Sequence, residues 1–332
     1  MNLQILKRSE ISPNAWDSFC LAWGGTLNHL THFLDYYIVT NELAERSFGI
    51  LFEGALLAVV PILLPHNNGF GDDSSAKESS ILNQRPLVSS FGKQNELTNF
   101  LSTEMFLRIP VGAMYEFSFW KSTQVSATDY LERLFIEQGT NENLMVDLTS
   151  GEEHLFKNLS RGHQRTIKKS ISSGQSTIIL DNSSSPREIE EGFSLYRVAH
   201  AMAAGRITRS NESFELMLKY IHSGVAALFI GRNGERNLSF LYCDFAGGFS
   251  RGWSQANSQR LNFGEFPRHQ TEWEAMKYFS KRGVHYYHLG VIDVNTVGSS
   301  TKSDSINEYK LRFHPIRIKG AIKSFRKGNP DD

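Results

Sequence analysis

Between residues 226 and 290 the sequence alternates apolar runs with turn signals in an order that few folds accommodate. The runs 226–230 and 238–245 flank Asn233-Gly234, a pair that suits a tight hairpin because both residues accept positive φ. Gly247-Gly248 then leads into 249–255, so three strands make an antiparallel meander. A Pro-primed amphipathic helix is expected over 266–282, closed by Gly283, and it feeds an aromatic strand over 284–289. Upstream, 176–180 reads as a β-branched strand. Ser185-Pro186-Arg187-Glu188 has the form of a capping box with Pro in the first turn, and a further helix is expected over 212–221. The second half therefore reads strand, two helices, three antiparallel strands, helix, strand.

A chain of 332 residues is long for one core, which predicts two domains, 1–150 and 151–332. The first half also reads as mixed α/β. A helix is expected over 16–34 and a hairpin over 48–52 and 56–60, turning at Glu53-Gly54. Residues 69–80 are rich in Gly, Ser and Asp and read as a loop. A strand is expected over 114–120, with Tyr115, Phe117 and Phe119 on one side, then a helix over 128–138 and a strand over 144–148. A helix over 151–173 would carry Lys157, Arg161, Arg165 and Lys169 on one stripe and bury Leu155, Leu159, Ile167 and Ile171. The fold class is α/β (α+β), with mostly antiparallel mixed sheets flanked by helices.

Charge is balanced, with 35 basic and 35 acidic side chains, which argues against a large nucleic-acid footprint. The balance hides an asymmetry: residues 1–150 hold 9 basic and 17 acidic groups, net −8, and the remainder is +8. The second half then meets something anionic, or the two halves attract each other. Cys20 and Cys243 fit no metal or disulfide pattern. Gly248-Phe249-Ser250-Arg251-Gly252 matches a hydrolase nucleophile motif but lies at a hairpin instead of the strand-to-helix turn that chemistry needs. His285 and His288 point to opposite faces of a strand, and His29 and His32 lack a third ligand, so no metal site is expected. No phosphate-binding loop motif occurs. The N-terminus lacks a signal-peptide core, and the apolar run 50–65 is broken by Glu53, Gly54 and Pro61. No membrane span is expected, and a cytoplasmic location is.

Three features suggest chemistry. The polar turn 256–265 delivers the chain to a helix N-terminus, where backbone N–H groups and the dipole favour an anion such as a pyrophosphate. Near the end, Ile306, Tyr309, Lys310 and Phe313 share one helical face. A lysine there is costly unless it snorkels out or has a role. Arg206 and Arg209 lie in a loop ahead of the helix at 212, as phosphate ligands or as solvated charge.

Together these features resemble the FemAB-like branch of the GNAT acyltransferases. That branch opens its second domain with a basic helix, here Leu159-Ser160-Arg161-Gly162-His163-Gln164-Arg165-Thr166-Ile167-Lys168-Lys169. It continues with a W-E-A-[IM] helix, here Trp273-Glu274-Ala275-Met276, a strand ending in Leu-Gly, here Leu289-Gly290, and a short F-K-x-x-F helix, here Tyr309-Lys310-Leu311-Arg312-Phe313. The match covers roughly 155–315, with Tyr309 in place of Phe and His288 where Asp is common.

The resemblance implies tandem GNAT-like domains, the first degenerate and the second carrying the acyl-CoA site. The reaction implied is transfer of an acyl group, acetyl or a hydroxyacyl such as hydroxybutanoyl, to an amine. The preferred acceptor is a nucleotide-linked (dTDP- or UDP-) amino sugar for surface polysaccharide such as O-antigen or capsule. The alternatives are an aminoacyl-tRNA-dependent peptidoglycan peptidyltransferase and a non-catalytic GNAT-like binding protein. Gln255, Asn257, Leu261, Asn262, Phe263, Gly264, Glu265 and Phe266 would hold the acyl-CoA, whose pantetheine would splay the 249–255 strand from the 284–289 strand. The acceptor amine must lose a proton, with His269 or Asp293 as base. Lys310 would stabilise the oxyanion or grip the acceptor's diphosphate. Arg206, Arg209, Tyr286 and His288 would bind substrate. Monomer and homodimer both remain open, no DNA partner is expected, and tRNA enters only under the alternative.

Overall fold

The computed structural model describes residues 2–65, 82–89, 94–117, 134–258, 267–293 and 301–326. The chain forms two compact units: Met1–Glu142 with Asp293–Asn295 and Ile318–Asp332, and Asn143–Ile292 with Thr296–Arg317. The expected break at 150/151 into two contiguous halves is thus replaced by one inside a strand, Phe135–Asp147. Strand pairing is the reason. The C-terminal strand Ile316–Phe325 pairs antiparallel with Met114–Phe117, setting Ala321 opposite Phe117, and this gathers the end of the chain into the first unit.

In the first unit, β1 (Leu3–Lys7), β3 (Phe48–Phe52), β4 (Ala55–Val60) and β7 (Leu87–Val88) form an antiparallel sheet. β2 (Leu43–Glu45) and β5 (Leu63–Pro65) pair separately. β6 (Leu82–Gln84) runs parallel to β8 (Met114–Phe117). The helix expected over 16–34 is broken: α1 (Pro13–Ala22) stops before Gly24-Gly25, and α2 (Thr31–Asn41) starts anew. Gly25 passes so close to Cys20 that a Cβ would lie 2.7 Å from its carbonyl oxygen. α3 (Gln94–Arg108) contributes Leu97, Leu101 and Met105 to a core with Phe48, Ile50, Tyr115, Phe117 and Phe325. Of the helix expected over 128–138, residues 135–138 belong instead to β9 (Phe135–Asp147), where Phe135 makes edge contacts with Tyr115 and Phe117. Residues 128–133 of that expected helix, the loop at 69–80 and Phe119 lie outside the described residues.

The second unit follows the predicted order closely. The strands run β10 (Gln175–Leu180), β11 (Ala226–Asn233), β12 (Arg236–Ala246), β13 (Phe249–Asn257) and β14 (Tyr286–Asp293), with the end of β9 beyond β14. The first four are antiparallel neighbours, and β14 joins β13 in parallel. The expected helix at 151–173 is two, α4 (Glu152–Asn158) and α5 (Arg161–Ser172), because Ser160 turns extended and caps the second through the His163 N–H. Lys157 therefore leaves the basic stripe and pairs with Glu153, and Ile171 is exposed. The capping box forms as read: Ser185 and Glu188 cap α6 (Pro186–Ala204), which precedes α7 (Asn211–His222).

Alternation along the strands gives the sheet two apolar faces, each covered by helices. Tyr196 and Phe193 of α6 pack on Tyr242 on one face. On the other, Trp273, Met276 and Phe279 of α8 (Pro267–Lys281) join Ala227, Phe229, Leu241, Cys243 and Tyr287 in one core. α9 (Thr301–Leu311) follows β14, and Phe313 closes the same core.

Candidate active site

The site begins where two strands stop pairing. β13 and β14 are in register at Phe249–Tyr286, Ser250–Tyr287 and Arg251–His288, and no further. At that point β13 carries a bulge: Cys243 pairs with Gly252 and Tyr242 with Ser254, leaving Trp253 as the extra residue. A bulge bends its strand and redirects the following side chains, which explains the divergence. A pocket of about 290 Å³ opens in the gap, lined by residues 252–255 of β13, Leu289 and Gly290 of β14, Arg268 and Glu272 of α8, and Tyr309 and Lys310 of α9.

Lys310 reaches the strand backbone. Its ammonium donates to the Val291 carbonyl oxygen at 3.2 Å. Gly290 makes the approach feasible, since a Cβ there would sit 2.9 Å from the lysine Nζ and its φ of 103° excludes other residues without strain. Burial, and next Arg268, lower the pKa of Lys310 from its ordinary value, against the opposing pull of Glu272.

Glu272 is the pocket's carboxylate, and it is 5 % exposed. The Tyr287 phenol donates a short hydrogen bond to its Oε1, and Tyr287 also touches the Cys243 thiol. Gly252 leaves the space for this pair: a Cβ there would lie 2.7 Å from the Tyr287 oxygen and 3.3 Å from Glu272 Oε1. Burial raises the Glu272 pKa above the usual carboxylate value, although Arg268, the Tyr287 hydrogen bond and Lys310 each pull it down. Arg268 stacks on the Tyr309 ring at 3.8 Å from its centre.

The candidate residues separate. Lys310 and Gln255 line the pocket. His269 does not. Its ring packs 4.6 Å from His163 and 5.0 Å from Tyr309, and burial lowers its pKa to about 3, so it lies in an aromatic cluster with Phe313 nearby. His288 is buried on the opposite sheet face from Tyr287, in register with Arg251, which is paired with the buried Asp244. Tyr286 stacks on Phe249 instead of facing the pocket. Arg209 contacts His200, Arg206 is exposed, and neither lines the pocket. Asn257 ends β13 beyond the pocket, and Asp293 ends β14. Leu261, Asn262, Phe263, Gly264, Glu265 and Phe266 lie outside the described residues. Among the described residues no cluster of His, Cys, Asp and Glu is placed to hold a metal ion.

Sequence reasoning passed over Arg268 and Glu272. One signal was present: Glu272, Met276 and Phe279 fall on one helical face, so a carboxylate sits on an apolar stripe just as Lys310 does on its own helix.

No protein-family model matches the sequence, and no curated protein sequence matches it. Solved structures do resemble it. FemX superposes with a TM-score of 0.70 at 14% identity, covering 96% of both chains. L-PGS from Bacillus licheniformis gives 0.57 at 13% identity, covering 96% of this chain and 92% of that one. A tandem GNAT protein from the clavulanic acid biosynthesis pathway gives 0.54 at 8% identity over the full length of both. The chain has a tandem GNAT-like fold. The meander β11–β13, the intervening α8 and the diverging β14 keep the order read from the sequence.

Proposed function

We propose that the chain is an N-acyltransferase whose donor enters the gap between β13 and β14. The observation that carries this reading is the end of strand pairing at Arg251 and His288, beside a pocket containing Lys310 and Glu272. The divergence of β13 from β14 after Arg251 and His288 leaves a cleft that fits an extended donor, such as the arm of an acyl-CoA. Lys310, a cation lining the pocket beside Gly290, suits the negative charge that develops on a carbonyl oxygen under attack.

The finer reading is transfer from acyl-CoA to the amine of a dTDP- or UDP-linked amino sugar. Arg206 and Arg209, in the loop after α6, would receive the diphosphate. A second reading, aminoacyl transfer from tRNA to a peptidoglycan peptide, is favoured by the likeness to FemX over nearly the whole chain. One experiment separates them. The purified protein is incubated with acetyl-CoA or 3-hydroxybutanoyl-CoA and a panel of nucleotide-linked amino sugars, and free thiol is followed. Alanyl-tRNA with a peptidoglycan precursor is run in parallel. Amine-dependent thiol release supports the first reading. Transfer from tRNA alone, weakening steeply with salt, replaces it with the second. Acyl-CoA binding with no transfer to any amine leaves a non-catalytic binding protein.

A further inference from the structure

We infer that Glu272 is the proton acceptor of the transfer reaction, a role that rests on the acyltransferase reading above. Three observations converge on it. The carboxylate lies in the pocket that Lys310 enters, so it shares a cavity with the group proposed to hold the oxyanion. One of its oxygens is fixed by the Tyr287 phenol, and among the hydrogen bonds of the described residues the other oxygen accepts none. The side chain is almost wholly removed from solvent, yet among the described residues it is in no ion pair of hydrogen-bonding length. Such a group is oriented by its neighbour and still has a free lone pair for a proton.

The groups that face it are Arg268 on its own helix, Tyr287 on β14, Cys243 on β12, and Tyr309 and Lys310 on α9. Burial makes Cys243, Tyr287 and Tyr309 poorer acids than usual, so each stays neutral at pH 7. Arg268 carries a guanidinium, which donates hydrogen bonds and offers no acceptor. Lys310 is already committed as a donor to the Val291 carbonyl. Among these groups Glu272 is the one with an oxygen that accepts no hydrogen bond, and burial raises its pKa above the ordinary carboxylate value, which makes it a stronger base.

The step balances. The acceptor nitrogen attacks the donor's carbonyl carbon, forming the C–N bond and placing negative charge on the oxygen beside Lys310. The nitrogen passes its extra proton to Glu272. The tetrahedral intermediate then collapses, the C–S bond of a thioester or the C–O bond of an aminoacyl ester breaks with its electron pair, and the leaving sulfur or oxygen takes the proton from Glu272. The carboxylate is regenerated.

The test uses whichever donor supports wild-type turnover, with two acceptors: the amino-sugar or peptide substrate and hydroxylamine, which is mostly neutral at pH 7. If the wild type transfers to neither, the acyltransferase reading fails and Glu272 is not at issue. If it transfers, Glu272→Gln, which preserves the acceptor for Tyr287, should lower kcat with the natural amine roughly 100- to 10,000-fold at little change in KM. The loss should be much smaller with hydroxylamine, because its less basic nitrogen, once attached to the carbonyl carbon, gives up its extra proton to water more readily and needs a positioned base less. An equal loss with both acceptors marks a structural role and overturns the inference, as does wild-type kcat in the variant. Should Glu272→Gln fail to fold, Glu272→Asp withdraws the carboxylate by one methylene. It is expected to lower kcat roughly 100-fold with the natural amine, and an unchanged kcat overturns the inference.

Discussion

The guanidinium of Arg268, in the first turn of α8, lies 3.8 Å from the centre of the Tyr309 ring, in the last turn of α9. The contact joins the two helices at the pocket and holds a fixed positive charge beside Glu272. A planar cation stacks on a ring where an ammonium does so less well. Arg268→Lys keeps the charge and loses the stack. Urea unfolding of that variant should show a loss of about 1 kcal/mol, and donor KM should rise. A variant indistinguishable from wild type in both would show that the stack contributes nothing.

Lys310→Met removes the cation and keeps much of the side-chain volume. If the ammonium meets the oxyanion, kcat falls roughly 100- to 1,000-fold. Because burial holds the Lys310 pKa below its ordinary value, the alkaline fall in wild-type activity should also begin below that value. Steady-state kinetics settle the point: kcat and acceptor KM both unchanged in the variant would exclude Lys310 from the reaction.

Gly252→Ala places a methyl group 2.7 Å from the Tyr287 oxygen and 3.3 Å from Glu272 Oε1. The strand backbone is held by β12, so the phenol and carboxylate must move apart. The expected results are a stability loss of about 1–3 kcal/mol and a fall in kcat larger than the change in KM. Full activity in a folded variant would mean that the Tyr287–Glu272 contact does not matter for turnover.

His288 is fully enclosed, and burial first, then Arg251 and Lys310, lower its pKa from 6.5 to about 3, against a weaker opposing effect of Asp244. The folded state keeps this ring neutral, while the unfolded chain takes up a proton below 6.5. Its contribution to stability is therefore complete above pH 6.5 and is lost progressively as pH falls towards 3. The slope is about 1.4 kcal/mol per pH unit for one proton. His288→Asn should flatten the measured dependence of unfolding free energy on pH between 6 and 4.5 by about that amount. An unaltered slope would place the titrating group elsewhere.

The sequence by itself determined the second unit's order of elements, because its signals are local. Asn233-Gly234 makes a hairpin wherever two apolar runs flank it, and Ser185 with Glu188 caps a helix from within three residues. The same locality misled the reading at 151–173, where a helical pattern ran across the Ser160 cap, and at 135–138, where residues with a helical pattern were drawn into a strand beside Tyr115 and Phe117. Lys310 was legible as an anomaly, a charge on an apolar face, but its partner was not. Only the tertiary structure brought it to Gly290, twenty residues earlier in the chain, and set Glu272 of another helix in the same pocket. It also withdrew His269 into a ring cluster with His163 and Tyr309. The reason is physical: turns and caps depend on hydrogen bonds between neighbours in sequence, whereas the burial and charge that decide which group can take a proton depend on side chains that only packing brings together.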